Sequence, residues 1–243
     1  MRSATLELIQ HDQFASSQPA NFNRLARVYR WLEWFSFGPI LSQCRRAFLG
    51  EMKNRRTALV IGDGDGRFTA QLLKQNPHIV VEVVDASDAM LRRLMQRAGL
   101  NAGRVHPHLA DARQLHLASC GFDLVATHFF LDCLTTIEVE SLAIRLRRSM
   151  TPDALWVVSD FAIPDNWYGR LIAKPLVTAL YLAFRFMTGL TIRKLPRHRD
   201  ALQRAGFILT RQQKRVWGLL VSELWRPTPV ANPISLSQKA EAD

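Results

Sequence analysis

Short apolar segments and amphipathic segments alternate through the middle of the chain, and this alternation predicts the fold. The apolar segments have the length of strands and occupy residues 58–61, 79–84, 105–109, 122–127 and 154–161. The amphipathic segments between them carry apolar residues at helical spacing, as do Phe68, Leu72 and Leu73. Apolar strands that alternate with helices are typical of a parallel sheet covered on both faces. The pattern therefore predicts an α/β fold with an open, mostly parallel sheet.

The C-terminal part of the chain departs from this alternation. A helix over residues 198–205, ended by Gly206, is followed by two apolar segments at 207–217 and 219–225. Two strands joined so closely, with a tight turn at Gly218, must be antiparallel. This C-terminal hairpin brings the predicted sheet to seven strands. The last residues, 226–243, are polar and rich in proline, and they predict a flexible tail.

A very apolar and aromatic stretch interrupts the alternation at residues 164–196. Lys174-Pro175 and Arg185 divide it, so it falls short of the roughly 20 uninterrupted apolar residues that a bilayer span needs. We predict a helical insertion that covers the active site. Contact with one membrane surface is an alternative interpretation of the same residues.

Two segments precede the first strand. Residues 1–21 show no sustained periodicity and predict a flexible arm. Residues 22–48 carry apolar residues at helical spacing, with arginines and tryptophans among them, and we expect Gly38-Pro39 to break this helix. The segment 22–50 is then either a helix packed on the core or a lid that also touches a membrane. One domain of residues 22–225 is predicted.

Composition and charge narrow the class of protein. The chain has 243 residues, of which 48% are hydrophobic and 22% charged, as in globular proteins. Its net charge of +11 favours anionic partners such as nucleic acid, acidic lipids or phosphorylated molecules. Three scattered cysteines suggest neither a disulfide framework nor a metal cluster, and the N-terminus lacks the apolar core of a signal peptide. We expect a cytoplasmic protein, with peripheral attachment to the inner face of the membrane as an alternative.

The turn after the first strand carries the clearest chemical signal. Gly62-Asp63-Gly64-Asp65-Gly66 lets the backbone turn sharply and pass close to a ligand. A dinucleotide site has glycine at the next position of its motif, where this chain has Arg67, and carboxylates beside a pyrophosphate would repel it. Asp85, at the tip of the second strand, is placed to accept hydrogen bonds from two ribose hydroxyls. The turn therefore predicts a nucleoside that is neutral or cationic at this end.

These residues resemble the Rossmann-like S-adenosylmethionine-dependent methyltransferases, over residues 57–161 and, by topology, the terminal hairpin. The resemblance implies S-adenosylmethionine as cofactor. It also implies a set of cofactor-binding residues: Gly62, Asp63, Gly64, Gly66, Asp85, Ala86, Met90, Asp111, Ala112, His128 and Phe129. For Met90, an ordinary core position is the alternative. The family often has an acid where this chain has Val60, and Asp63 is expected to take over part of its role.

The flanking segments are similar to the branch of that family that includes quinone-biosynthesis and phospholipid N-methyltransferases. This resemblance implies an apolar or membrane-associated acceptor, such as a lipid or quinone. The aromatic residues expected to contact it are Tyr29, Trp31, Tyr168 and Tyr181, although tyrosines in an apolar helix are also typical of a core.

Methyl transfer requires alignment of donor and acceptor and exclusion of water, and we predict no metal site. A phenol or carbon acceptor benefits from a general base. His128, Asp132 and Asp160 follow the fourth and fifth strands, at the edge where open α/β sheets bind ligands. Each has a structural alternative: His128 as a pocket wall, Asp132 as a helix cap and Asp160 as an anchor of the insertion.

Two other functions fit parts of the sequence. A nucleic-acid methyltransferase agrees with the charge, but His128-Phe129-Phe130-Leu131 lacks the Asn/Asp-Pro-Pro-aromatic pattern of amino-directed enzymes, which argues against a nucleic-acid partner. A non-catalytic protein that retains S-adenosylmethionine is the second alternative. The favoured hypothesis is a methyltransferase acting on a small, apolar or membrane-associated acceptor.

Overall fold

The computed structural model describes residues 38–115, 117, 121–164, 166–178 and 195–229. The predicted arm, most of the N-terminal helix, the second half of the insertion and most of the tail lie outside these ranges. The domain limits drawn from the sequence therefore stay predictions.

Seven strands form one mixed sheet, as the hydrophobic pattern predicts. They are β1 (Thr57–Ile61), β2 (Val80–Asp85), β3 (Val105–Leu109), β4 (Phe122–His128), β5 (Met150–Phe161), β6 (Phe207–Arg215) and β7 (Leu220–Pro227). Their order in the sheet is β3-β2-β1-β4-β5-β7-β6. Strands β1 to β5 are parallel, whereas β7 runs antiparallel to both β5 and β6. The predicted fold class is confirmed.

Helices cover both faces of this sheet. They are α1 (Gly38–Arg45), α2 (Arg67–Gln75), α3 (Asp88–Ala98), α4 (Thr136–Ser149) and α5 (His198–Arg204). The described part of the insertion is helical over residues 167–178, with a π-helical turn at Gly169–Ala173. The ends of these helices follow the sequence signals. Ser87 caps α3, Gly99 ends it, and Thr135 and Glu138 form a capping box at the start of α4.

Two apolar layers hold the helices on the sheet. On one face, α2 and α3 bury Phe68, Leu72 and Leu94 against β1, β2 and β4. On the other face, α4 and α5 pack on the indole rings of Trp156 and Trp225, both of which are fully buried. Because both faces are covered, ligands have access to the sheet at the carboxyl ends of its strands.

Several boundaries differ from the sequence prediction. Gly38 and Pro39 are the first described residues and belong to α1, so the expected break of the 22–48 helix at this pair stays a prediction. Strand β5 begins at Met150, because the polar residues that follow Met150 are accommodated by a shift in register between Phe122 and Leu124 of β4. Strand β7 extends to Pro227, two residues beyond its predicted end.

Candidate active site

The glycine turn after β1 allows two close approaches. A Cβ atom on Gly62 would lie 2.4 Å from Cδ2 of Phe130, and one on Gly66 would lie 2.6 Å from Cγ of Leu94. Both glycines have positive φ angles, of 71° and 81°. Gly62 therefore admits the Phe130 ring, and Gly66 allows α3 to pack closely on the start of α2.

A cavity of about 180 Å³, here called the glycine-turn cavity, opens over the carboxyl ends of β1, β2 and β4. All the predicted cofactor-binding residues except Gly66 line it. Sequence reasoning missed other lining residues, among them Arg45, Ser87, Arg113, Phe130, Cys133 and Leu134. The structure thus brings residues from five separate segments of the chain around one space of the kind that holds a small ligand.

Asp85 lies at the end of β2, and its carboxylate contacts the glycine turn that follows β1. Its two oxygens accept hydrogen bonds from the backbone N–H groups of Ser87, at 2.9 Å, and Gly64, at 3.3 Å. Burial raises the pKa of Asp85 to about 6, although these hydrogen bonds oppose the shift. Further hydroxyl donors would stabilise the ionised carboxylate, as a ribose diol does.

Asp63 also lines the cavity, but its carboxylate caps α2. Its oxygens accept hydrogen bonds from the backbone N–H groups of Phe68, at 3.2 Å, and Thr69, at 2.8 Å. Burial raises the pKa of Asp63, and the nearby guanidinium of Arg45 opposes this shift. Each carboxylate oxygen keeps a second lone pair, so the expected part of Asp63 in replacing the acid missing at Val60 stays a prediction.

Arg45, the last residue of α1, adds a buried cation to the lining of the cavity. Its guanidinium carbon lies 5.3 Å from the centroid of the Phe129 ring, and the residue is only 7% exposed. Sequence reasoning missed Arg45 because the folding of α1 onto the sheet depends on segments far apart in the chain. The available signal was the position of Arg45 beside Leu41 and Cys44, which are also buried.

Asp111 and Arg113 form an ion pair at the edge of the cavity that follows β3. The Asp111 carboxylate accepts hydrogen bonds from the backbone N–H, Nε and Nη2 of Arg113. Burial acts to raise the pKa of Asp111, but the hydrogen bonds from Arg113 outweigh it and hold the pKa below its ordinary value. Asp111 therefore stays ionised and able to accept a hydrogen bond from a ligand amino group.

His128 ends β4 and forms part of the cavity wall. Its Nδ1 is 3.0 Å from Oγ of Ser159, and its ring lies 4.3 Å from the Phe68 ring. Burial lowers the pKa of His128 to about 3, so the imidazole is neutral at physiological pH. Its Nε2 is buried without a hydrogen-bond partner among the residues that the structure describes. So weak a base is poorly suited to proton removal, and the geometry favours a role in ligand contact.

The half-buried Asp132 and the buried Asp160 form a carboxyl pair outside the lining of the glycine-turn cavity. The Asp160 carboxylate accepts hydrogen bonds from two backbone N–H groups, that of Asp132 at 3.2 Å and that of Phe161 at 2.8 Å. Burial raises the pKa of Asp132 to about 6 and, together with repulsion from Asp132, raises that of Asp160 well above its ordinary value. Cys133, which follows Asp132, lines the cavity.

The predicted acceptor residues are described only in part. Tyr29, Trp31 and Tyr181 lie outside the described ranges. Tyr168 is almost buried, with its ring 5.4 Å from that of Trp217 and 6.3 Å from that of Trp167. Tyr168 packs the insertion onto the hairpin, and contact with an acceptor stays a prediction. No group of three or more metal-ligating side chains was found within the described ranges.

Part of the chain matches a known protein family. Residues 58–153 match a family described as a methyltransferase domain. No curated protein matches the chain in a sequence comparison.

The fold is similar to those of several solved structures. The mitomycin 7-O-methyltransferase MmcR is 17% identical in sequence to this chain, and its structure matches with a TM-score of 0.65. The match covers 85% of this chain and 60% of MmcR. An O-methyltransferase family protein from Burkholderia thailandensis is 16% identical, with a TM-score of 0.64 over 86% and 61%. The CcbJ methyltransferase from Streptomyces caelestis is 17% identical, with a TM-score of 0.56 over 78% and 96%. The chain spans about 60% of the length of the first two.

Proposed function

We propose that this chain, which contains a class I S-adenosylmethionine-dependent methyltransferase domain, transfers a methyl group to a small-molecule acceptor. The observation that carries the proposal is the convergence of Asp85, Asp111 and the glycine turn on one cavity. The similar solved structures include a mitomycin 7-O-methyltransferase, which supports an acceptor of small-molecule size.

The residues around the cavity fit S-adenosylmethionine at both of its ends. Desolvation raises the pKa of the Asp85 carboxyl to about 6, and two ribose hydroxyls would supply further donors to its ionised form. Asp111 would accept the adenine amino group. At the methionine end, the buried Arg45 guanidinium would hold the carboxylate, and the orphaned Nε2 of His128 offers a further polar contact.

The bound cofactor supplies a methyl group on a sulfonium, which an acceptor attacks in line. The chain's own residues orient the reactants and exclude water, since the walls at His128, Phe129 and Phe130 are largely apolar. For a phenol or carbon acceptor, we propose Asp132 as general base. A carboxyl with a pKa near 6 is a stronger base than an ordinary aspartate, and it is still ionised at neutral pH.

We further propose an acceptor that is apolar or membrane-associated. The insertion exposes Trp167 and Leu171, which are 69% and 71% exposed, next to the exposed Arg170 and Lys174. Aromatic and basic residues on one helical segment suit the surface of an anionic bilayer. No helix in the described ranges has the length and apolar character to cross a membrane. Cosedimentation with phosphatidylglycerol vesicles, but not with phosphatidylcholine vesicles, would support this surface contact.

Calorimetry and product detection test the proposed activity. We expect the purified chain to bind S-adenosylmethionine and S-adenosylhomocysteine in the micromolar range. We also expect S-adenosylhomocysteine to form when a lipid extract or a water-soluble metabolite extract is added with the donor. Failure to bind either nucleoside would overturn the proposal. Binding without product in either extract would favour the non-catalytic alternative.

A further inference from the structure

A second and larger cavity, of about 600 Å³, lies beside the C-terminal hairpin and is here called the hairpin cavity. Its walls come from the segment after β5, the segment before α5, the tip of the β6–β7 hairpin and the start of β7. It shares no lining residue with the glycine-turn cavity among the described residues. Nothing in the sequence pattern alone predicts that these segments enclose one space.

The two cavities are neighbours across a pair of aromatic rings. Phe129 lines the glycine-turn cavity and Phe161 lines the hairpin cavity, and their ring centroids are 5.7 Å apart. The carboxyl pair lies at the same boundary, since Asp160 precedes Phe161 and His198, a lining residue of the hairpin cavity, acts electrostatically on Asp132. A molecule in the hairpin cavity is therefore separated from the proposed methyl-donor site by these two rings.

The lining of the hairpin cavity is cationic. Arg197 and Lys214 are exposed on it, and neither forms a salt bridge within the described part of the chain. Arg199 and His198 also line it, but both are bound to the buried Glu223, at 2.6 and 3.1 Å. The lining also carries one carboxylate, that of Asp200, which forms no salt bridge among the described residues, since Arg204 is paired with Glu140. Two unpaired cations thus stand against one carboxylate, and the exposed charge of the lining is positive.

The same cavity offers an exposed apolar wall. Trp217 is 79% exposed and Ile163 is 38% exposed, and both line the cavity together with Phe161. Exposed large apolar side chains gathered around a concave space, with a few convergent charges, are typical of a small-molecule site.

From this combination we infer that the hairpin cavity is the acceptor subsite, and that it takes a molecule with a flat apolar body and an anionic group. The anion, a carboxylate, sulfonate or phosphate, would pair with Arg197 and Lys214, and the apolar body would pack on Trp217 and Ile163. The assignment of this molecule as methyl acceptor rests on the proposed function, whereas the preference for an anion does not.

A matched pair of fluorescent probes tests the charge preference directly. The sulfonate 8-anilinonaphthalene-1-sulfonate and the uncharged N-phenyl-1-naphthylamine share one aromatic body and differ in the anion. We expect the full chain to bind the sulfonate at least about tenfold more tightly, as expected for one charge-assisted contact. The double variant Arg197→Gln/Lys214→Gln should lose this preference and keep its affinity for the uncharged probe.

The control replaces two exposed cations that lie away from the cavity, in the variant Arg148→Gln/Lys53→Gln. It should keep the tenfold preference, because the effect depends on position and not on net charge. Equal affinity for the two probes in the unchanged chain would overturn the inference, as would equal losses in both double variants. Calorimetry with S-adenosylmethionine separates the two proposals: failed donor binding contradicts the methyltransferase, whereas a lost probe preference contradicts only the anionic subsite.

A second arm identifies the source of the anion. If the anionic group belongs to a lipid, Arg197→Gln/Lys214→Gln should also weaken cosedimentation with phosphatidylglycerol vesicles. If it belongs to a soluble metabolite, vesicle binding should be unchanged while the probe preference is lost. Either result supports an anion subsite, and vesicle binding lost with the probe preference intact would contradict it.

Discussion

At the scale of single residues, Asp85 links cofactor binding to pH. Its pKa of about 6 in the free protein means that the carboxyl is protonated below that pH. Ribose hydroxyls stabilise the ionised form, so affinity for S-adenosylmethionine should fall by about tenfold for each pH unit below 6. Calorimetry at pH 5 and pH 7.5 measures this dependence. Asp85→Asn should weaken binding by about 1–3 kcal/mol at pH 7.5 and flatten the profile; an unchanged affinity would contradict the assignment.

Arg45 carries the corresponding prediction for the methionine end. Arg45→Met should weaken binding of both S-adenosylmethionine and S-adenosylhomocysteine by about 1.5–3 kcal/mol, the value of a hydrogen bond to a charged group. Arg46→Met is the matched control, because Arg46 is adjacent on the chain but exposed. If the two variants bind both nucleosides equally well, and both melt like the unchanged protein, Arg45 is not a carboxylate ligand.

Asp132 is the residue whose role in turnover is most open to a kinetic test. With Asp132→Asn, kcat should fall while the affinity for S-adenosylmethionine stays unchanged. At S-adenosylmethionine concentrations that saturate the enzyme at every pH, so that Asp85 does not limit the rate, kcat of the unchanged enzyme should rise with pH up to an inflection near 6, where Asp132 loses its proton. A variant with the original kcat, or one that keeps this acid limb of kcat, would remove Asp132 as base.

At the scale of the elements, Gly66 fixes the packing of α3 on α2. Gly66→Ala places a methyl group 2.8 Å from the backbone Cα of Leu94, whereas Gly64→Ala meets open space. Both substitutions strain a positive φ angle, but only the first adds overpacking of about 1–3 kcal/mol. Thermal melting should therefore show the larger loss for Gly66→Ala. Gly64→Ala should mainly weaken cofactor binding, since Gly64 lines the cavity.

The elements also show why sequence reasoning reached some features and missed others. Strands such as β3 and caps such as the Thr135–Glu138 box depend on neighbours in sequence, and both were predicted correctly. Arg45 and the hairpin cavity depend on segments far apart in the chain. Ser159 Oγ and Ser222 Oγ both donate to the carbonyl of Cys44, and these bonds bring α1 onto β5 and β7. Periodicity carries no signal for such contacts.

At the scale of the whole molecule, the carboxyl pair of Asp132 and Asp160 lowers the stability of the folded state at neutral pH. A carboxyl whose pKa is higher in the folded than in the unfolded state holds its proton more tightly when folded. The raised pKa of Asp160 therefore makes the folded state lose stability as the pH rises above about 4. An asparagine resembles the protonated carboxyl at every pH and escapes this loss.

Asp160→Asn should consequently melt close to the unchanged protein at pH 4 and progressively above it as the pH rises to 8. Repulsion from the ionised Asp132 helps to raise the pKa of Asp160, so Asp160 still holds its proton where Asp132 loses its own. Because asparagine resembles this protonated carboxyl, the acid limb of kcat should stay near pH 6 in Asp160→Asn while the melting temperature changes. A difference in melting temperature that is constant from pH 4 to pH 8 would contradict the raised pKa of Asp160.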